Sequence, residues 1–287
     1  MALWVKCALA GIGLLVVGTV LAIWVGSNRW NSETAALVRK LAQGVSKSGT
    51  AKISFENFDQ LPAPVARYLK LVLKEGRPLV RSARIEWEGE FRVGDAEDGW
   101  SAYAAEQYFS SRPAGFVWDA GIRMAPLVDV RVRDAYVDGR GMMRGKILSL
   151  LPVIDESGKA ELNEAALQRY LAEAVWFPTA LLPGQGVQWS AIDDRRALAT
   201  LTDGNTTVSL EFHFDETGEI AGVYSPGRYR EVNGSYELTP WAGRYRDYGE
   251  RSGMLVPLSG EVEWRLPDGN LPYWKGRVVG IDYEFKK

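Results

Sequence analysis

The chain of 287 residues predicts a mainly β (α+β) protein, a curved antiparallel sheet or half-barrel clasping a few helices, plus an N-terminal transmembrane helix. Three observations predict it. From Ala8 to Asn28 no residue is charged, and an α-helix of about 20 apolar residues spans a bilayer's hydrocarbon core. From Arg84 onward, apolar and polar residues alternate with the period of 2 that belongs to half-buried strands. The turn signals Asp203-Gly204, Thr217-Gly218, Asn233-Gly234 and Asp268-Gly269 separate successive runs, and strands joined by tight turns pair antiparallel.

Composition narrows the chemistry. Hydrophobic residues make up 46% and charged residues 24%, enough to bury a core. The 34 basic and 36 acidic residues leave no basic field for nucleic acid. Cys7 is the one cysteine and His213 the one histidine, which excludes thiolate sites in the globular part and two-histidine metal motifs. No cofactor and no metal are expected.

Residues 1–30 read as a transmembrane signal-anchor. Lys6 and Arg29 bound the apolar run, and Trp4, Trp24 and Trp30 flank it as an aromatic belt does. A cleaved signal peptide would place its cut after Val20 and Ala22, but the apolar run continues through Ile23, Trp24 and Val25. Cys7 follows Trp4, Val5 and Lys6, unlike a lipoprotein processing site. Lys6 on one side against Arg29, Arg39 and Lys40 on the other does not fix orientation. The short N-terminal tail and the cysteine-free domain favour a single-pass protein of the inner (plasma) membrane with its domain on the periplasmic or extracytoplasmic side.

Residues 31–60 read as helix and linker: Asn31 to Gln43 continues as helix, with Leu37, Val38 and Leu41 on one side, and Gly44 to Thr50 is rich in Gly and Ser. Residues 61–287 form one β-rich domain. In Leu61 to Leu73, Pro62 and Pro64 pre-set the first turn, and Val65, Tyr68, Leu69, Val72 and Leu73 keep helical spacing. Strands follow. Ile85, Trp87, Phe91 and Val93 share one face, as do Thr206 to Phe214, Val262 to Leu266, and Val279, Ile281, Tyr283 and Phe285 at alternate positions. A helix over residues 163–176 interrupts them, with Asn163 as cap, Leu162 and Leu167 as staple, and Tyr170, Leu171, Ala174 and Val175 in its apolar stripe.

Four stretches carry a resemblance: Gly115 to Ala120 (GFVWDA), Val132 to Gly141 (VRDAYVDGRG), Tyr170 to Pro178 (YLAEAVWFP) and Leu271 to Gly276 (LPYWKG). From about Leu61 to the C-terminus the chain resembles an uncharacterised bacterial family, a domain of unknown function whose members carry an N-terminal membrane segment. That family implies no activity and no catalytic residues. The strand plan is also similar to the half-barrel of periplasmic lipoprotein and lipid carriers, a likeness of architecture without shared motifs.

Aromatic residues are abundant, with 11 Trp, 12 Tyr and 9 Phe, and supply two readings. Phe116, Trp118, Tyr136, Trp176, Phe177, Trp189 and Trp264, with Trp241 and Trp274, line a pocket for an acyl chain, or they fill the concave face as core. Val128, Val130 and Val132 alternate with Asp134, Tyr136 and Asp138 on one face if the strand has no bulge, with Arg140 and Arg144 as ion partners. Asp134 and Asp138 then make an acid–base pair, or Asp138-Gly139 simply ends the strand. His213 falls on a polar face and Ser225 in a turn, and no nucleophile motif accompanies them.

The leading expectation is a membrane-anchored, non-catalytic binding protein for a hydrophobic or amphiphilic ligand, a lipid or lipoprotein acyl chain, with membrane lipid as partner. The alternatives are an envelope assembly factor meeting a protein through exposed Trp241 and Trp274, and a hydrolase using Asp134 and Asp138.

Overall fold

The chain enters through one long helix, α1 (Leu3–Gly44), and a short one, α2 (Ala63–Val72), before any strand forms. The computed structural model describes residues 3–44, 52–92, 94 and 99–286; most of the predicted linker, and Val93, lie outside the described residues. Strands β1 (Val80–Arg92), β2 (Trp100–Ser110), β3 (Gly115–Ala125), β4 (Val128–Val137), β5 (Arg140–Ile147) and β6 (Leu151–Ser157) make a first meander. After helix α3 (Ala160–Glu173) come β7 (Val187–Asp193), β8 (Arg196–Asp203), β9 (Thr206–Phe214), β10 (Ile220–Val232) and β11 (Ser235–Arg246). A small hairpin, β12 (Gly249–Arg251) and β13 (Met254–Val256), precedes β14 (Ser259–Leu266) and β15 (Gly269–Phe285).

The last strand pairs with the first, so both meanders join in one thirteen-stranded antiparallel sheet running from β6 through β1 and β15 to β7. This is the predicted curled half-barrel. Its edges are β6 and β7, and the segment between them carries α3, which packs on β3, β4, β5, β9 and β10 and so bridges the two halves across the concave face. A sheet that is dry on one face has to be covered there. The predicted turns lie between strands: Asn233 and Gly234 both have positive φ, the geometry that fits a two-residue hairpin to the twist of its strands.

Three glycines let the middle of the sheet take its rings. Gly89, Gly276 and Gly260 stand in register on β1, β15 and β14. A Cβ on Gly276 would lie 2.4 Å from the Trp274 ring and 2.7 Å from Tyr103 Oη, and one on Gly260 would lie 3.3 Å from the Trp176 ring. Indoles therefore lie against bare backbone at the centre of the sheet, where any side chain would displace them.

The structure corrects three local expectations. The register slips between Glu86↔Gly280 and Trp87↔Val278, so Val279 is an extra, bulged residue; Val278 is buried and Val279 exposed. Helix α3 starts at Ala160 with Lys159 at its cap. Asn163 lies in the first turn instead, where its Oδ1 accepts the Gly141 N–H at 2.7 Å and fixes the helix to β5. Ser225 is a buried strand residue at the β10 bulge, accepting a hydrogen bond from Gln168 Nε2 at 2.9 Å.

Helix α1 is continuous over 42 residues. Its apolar half is uncovered, while its second half lies on the outer face of β2 to β4, where Leu37, Val38 and Leu41 meet Tyr108, Val117, Ala135 and Val137. Trp30 is fully buried (0% exposed), so it is a packing residue and not the belt residue its position suggested. Trp4 and Trp24 remain exposed.

Candidate ligand-binding site

The densest polar cluster under α3 starts from helical spacing. Residues four apart share a helix face, so Arg169 and Glu173 both point from α3 into the sheet, with Arg169 Nε 2.9 Å from Glu173 Oε1. Arg169 Nη1 reaches Asp134 Oδ2 on β4 at 2.5 Å. Glu173 Oε2 accepts from Gln107 Nε2 on β2 at 2.7 Å, and Gln107 Oε1 accepts from Trp87 Nε1 on β1 at 2.9 Å. A continuous network thus ties α3 to three strands of the first meander. The Arg169 guanidinium also lies 5.0 Å from the Phe116 ring centre and 5.2 Å from that of Trp118.

Burial is deep but incomplete: the Arg169 and Glu173 side chains keep 17% and 13% of their exposure, so water-sized molecules reach part of each. Burial pushes the Glu173 carboxyl above the ordinary glutamate value, and Arg169 and Gln107 only partly offset it. Burial opposes the Arg169 charge, but Glu173 and Asp134 outweigh it and hold the guanidinium protonated. The cluster therefore sets one guanidinium between two carboxyl groups, with the Glu173 carboxyl raised above its ordinary value by burial.

Beside it stand three buried donors without a partner: Tyr103 Oη, Trp118 Nε1 and Trp274 Nε1. Their rings are neighbours, with centres 5.8 Å apart for Tyr103 and Trp118 and 6.3 Å for Tyr103 and Trp274. Burial drives the Tyr103 hydroxyl well above its usual pKa, so it remains a neutral donor. Buried donors are normally paired, and leaving one unpaired costs about 1–3 kcal/mol.

Other predicted residues have other tasks. Trp176 Nε1 donates to the Pro257 carbonyl at 2.9 Å and its ring meets Trp87 edge-on. Phe177 packs on Phe109, Tyr136 Oη donates to Asp203 at 2.9 Å, and Trp189 Nε1 donates to the Leu181 carbonyl. Trp264 stacks on Tyr273 at 5.6 Å. Of the predicted ligand-binding residues, Phe116 and Trp118 adjoin the polar cluster. Trp241 and Trp274 are buried, not exposed to a partner protein.

The two aspartates do not face each other. Asp134 is inside with Arg169, whereas Asp138 sits at positive φ in the β4–β5 turn, half exposed, with Lys40 Nζ at 2.7 Å. Neither uses the expected Arg140 or Arg144; Arg144 pairs with Asp155. A shared acid–base site has no geometry here. His213 lies on the outer face with Nε2 2.7 Å from Glu211. Among the described residues no group of acidic, His or Cys side chains is arranged to hold a metal.

A family model described as "Family of unknown function (DUF6920)" matches residues 59–283, which is α2, the entire first meander, α3 and nearly all of the second. The chain belongs to this family. The DUF6920 match leaves α1 outside, so the matched unit is the half-barrel and its two short helices. No curated protein matches the chain. Among solved structures, a LolA superfamily protein from Nitrosomonas europaea is similar at 9% identity and a TM-score of 0.34, covering 77% of this chain and 92% of that one. A β-barrel-like protein of a domain of unknown function, DUF1849, from Brucella abortus is similar at 11% identity and 0.24, covering 72% and 99%. At such scores neither likeness carries function to this chain.

Proposed function

We propose that the protein is a membrane-tethered, non-catalytic binding protein for an amphiphile, a lipid or lipoprotein acyl chain with its polar linkage, held among the rings beneath α3. The observation that carries this reading is the cluster of neighbouring rings of Tyr103, Trp118 and Trp274, whose Oη, Nε1 and Nε1 are buried without a partner, next to side chains that retain solvent access. Donors of this kind fit an acceptor-bearing group such as an ester carbonyl or a hydroxyl oxygen, while the surrounding rings fit the apolar part. The Arg169–Asp134 pair is already neutral as a unit, so the site does not demand a charged guest.

Helix α1 supplies the tether. Its apolar half, including Leu14, Leu15 and Val20, is exposed with nothing among the described residues to cover it, which is costly in water and natural in lipid. In this reading α1 is retained as a single-pass span, and the half-barrel stands on the extracytoplasmic side, receiving or holding an amphiphile beside the bilayer.

The test is extraction and mass spectrometry of the full chain purified from its own membrane, alongside Tyr103→Phe combined with Trp118→Phe. The reading expects an amphiphile retained near one per protein in the wild type and several-fold less in the variant. A ligand-free wild type, or equal retention by both, contradicts it.

A further inference from the structure

Two hairpin tips differ in kind from five of the others. The turns Asp138-Gly139, Asp203-Gly204, Asn233-Gly234, Ser252-Gly253 and Asp268-Gly269 all use polar residues and glycine. The β3–β4 tip is instead Pro126-Leu127, and the β5–β6 tip is Leu148-Ser149-Leu150. Leu127 sits at φ 66 and is 96% exposed. Leucine at a left-handed position has a conformational cost that Gly or Asn would avoid, and its exposed side chain brings no contact within the domain in return. Met124, Leu150, Leu151 and Val153 around it are exposed too.

These tips lie where the apolar helix leaves the domain. Ser27 Oγ is 3.2 Å from Ser149 Oγ, and a Cβ on Gly26 would lie 2.7 Å from the Ser149 carbonyl and 2.9 Å from Leu150. The Leu148 N–H bonds to the Asp129 carbonyl at 2.9 Å, which ties one tip to the base of the other. Farther along, Lys40 meets Asp138 at the opposite end of β4, so β4 runs back toward the apolar half as its numbers fall. Two residues of strand from Asp129 to Leu127 reach up to about 7 Å farther, which brings Leu127 level with Trp24 and Val25 of the uncharged run.

We propose that the β3–β4 and β5–β6 tips form a lipid-docking surface, with Leu127, Met124, Leu150 and Leu151 in the headgroup and upper acyl layer of the bilayer that α1 crosses. This rests on α1 being a span, because only then is lipid at the height of Leu127. Arg29 and Arg123, both largely exposed, flank the tips at the level where long basic side chains reach phosphates. The domain is docked on α1 and follows its tilt; two tips beside the helix fix that tilt against the membrane.

The test is site-directed spin labelling of the full chain in phosphatidylethanolamine–phosphatidylglycerol vesicles, with Cys7→Ser and single cysteines at Leu14, Leu127, Leu151 or Asn205. Asn205 lies in the β8–β9 turn, at the end of the sheet where Tyr136 meets Asp203. Collision with oxygen relative to a water-soluble nickel chelate is expected to be several-fold higher at 14, 127 and 151 than at 205. Labels at 127 and 151 that match 205, with 14 still in lipid, overturn the docking surface and leave the span standing. Labels at 127 and 151 shielded from both reagents indicate protein contact and also overturn it. An aqueous label at 14 removes the span, and the docking surface with it.

Discussion

Trp30 donates its indole N–H to both carboxylate oxygens of Asp119, at 3.0 and 2.9 Å, and this contact joins the helix to the outer face of the sheet. Around it the guanidinium of Arg133 lies 4.1 Å from the indole centre, while its Nη2 donates to the Trp30 carbonyl at 2.7 Å and its Nε to Thr34 Oγ1 at 2.9 Å. Arg131 and Lys146 stand 5.8 and 5.7 Å from the same ring, and Thr34 donates to Asp119 as well. Arg133 is fully buried, a position a guanidinium holds only when its charge and donors are answered.

Removing Asp119 takes the carboxylate from the Trp30 indole and from Arg131 Nη2 at 2.8 Å, and leaves the buried Arg133 guanidinium with Glu33 alone at 3.4 Å. Asp119→Ala is expected to lower stability by about 3–5 kcal/mol, read as the urea midpoint of the full chain in detergent, with faster hydrogen exchange over residues 30–41. Lys40→Ala on the same helix, which removes an exposed pair with Asp138 of the β4–β5 turn, is expected to cost about 0–1 kcal/mol.

Asp134 and Asp138 are chemically alike and structurally opposite. Asp134→Asn weakens a buried charged hydrogen bond to Arg169 and is expected to cost about 1.5–3 kcal/mol. Asp138→Asn keeps a residue suited to positive φ and is expected to stay within about 0.5 kcal/mol. Equal losses from the two would contradict the separation of the aspartates.

Glu173 gives stability a pH dependence of known sign. Its carboxyl is raised in the folded state above the ordinary 4.5, so the unfolded chain releases this proton first. Its contribution is complete below about pH 4.5 and is lost as pH rises through the folded value. Glu173→Gln is expected to remove that decline, so the stability difference between variant and wild type shifts in the variant's favour from acid toward neutral pH. A difference that is flat across urea midpoints measured from pH 4 to 8 contradicts a raised Glu173.

Glycines separate by what lies over them. Gly276→Ala pushes a Cβ into the Trp274 ring and Tyr103 Oη and is expected to cost about 1–3 kcal/mol. At Gly121 the nearest atom to such a Cβ is Arg131 Cδ at 3.9 Å, so Gly121→Ala is expected to be neutral or stabilising by up to about 1 kcal/mol. Thermal midpoints of both variants check the pair.

Alternation and turn chemistry are local, and they made β9 and the hairpins legible in the sequence: Thr206 to Phe214 is the strand observed. The bulge at Val279 was not, because the slip depends on the partner β1 and not on β15 itself. One signal of the helix dock was present in the sequence and went unused. Val117, Ala135 and Val137 are apolar on the outward side of strands whose inward side is apolar too, and a strand dry on both faces needs two covers. The polar cluster was half legible. Arg169 and Glu173 have helical spacing in the sequence, but their partners Asp134 and Gln107 are 35 and 66 residues away, and nothing in local patterning reports that distance.

If a guest's oxygen answers the unpaired donors under α3, the indole ¹⁵N–¹H NMR spectrum of the full chain in micelles, assigned by single Trp→Phe variants, reports it during titration with a monoacyl phospholipid. The Trp118 and Trp274 indole signals are expected to move downfield on binding, while those of Trp30 and Trp176, already bonded to Asp119 and the Pro257 carbonyl, stay in place. Trp118 and Trp274 signals that do not move at saturating lipid, or that move no more than those of Trp30 and Trp176, would contradict it.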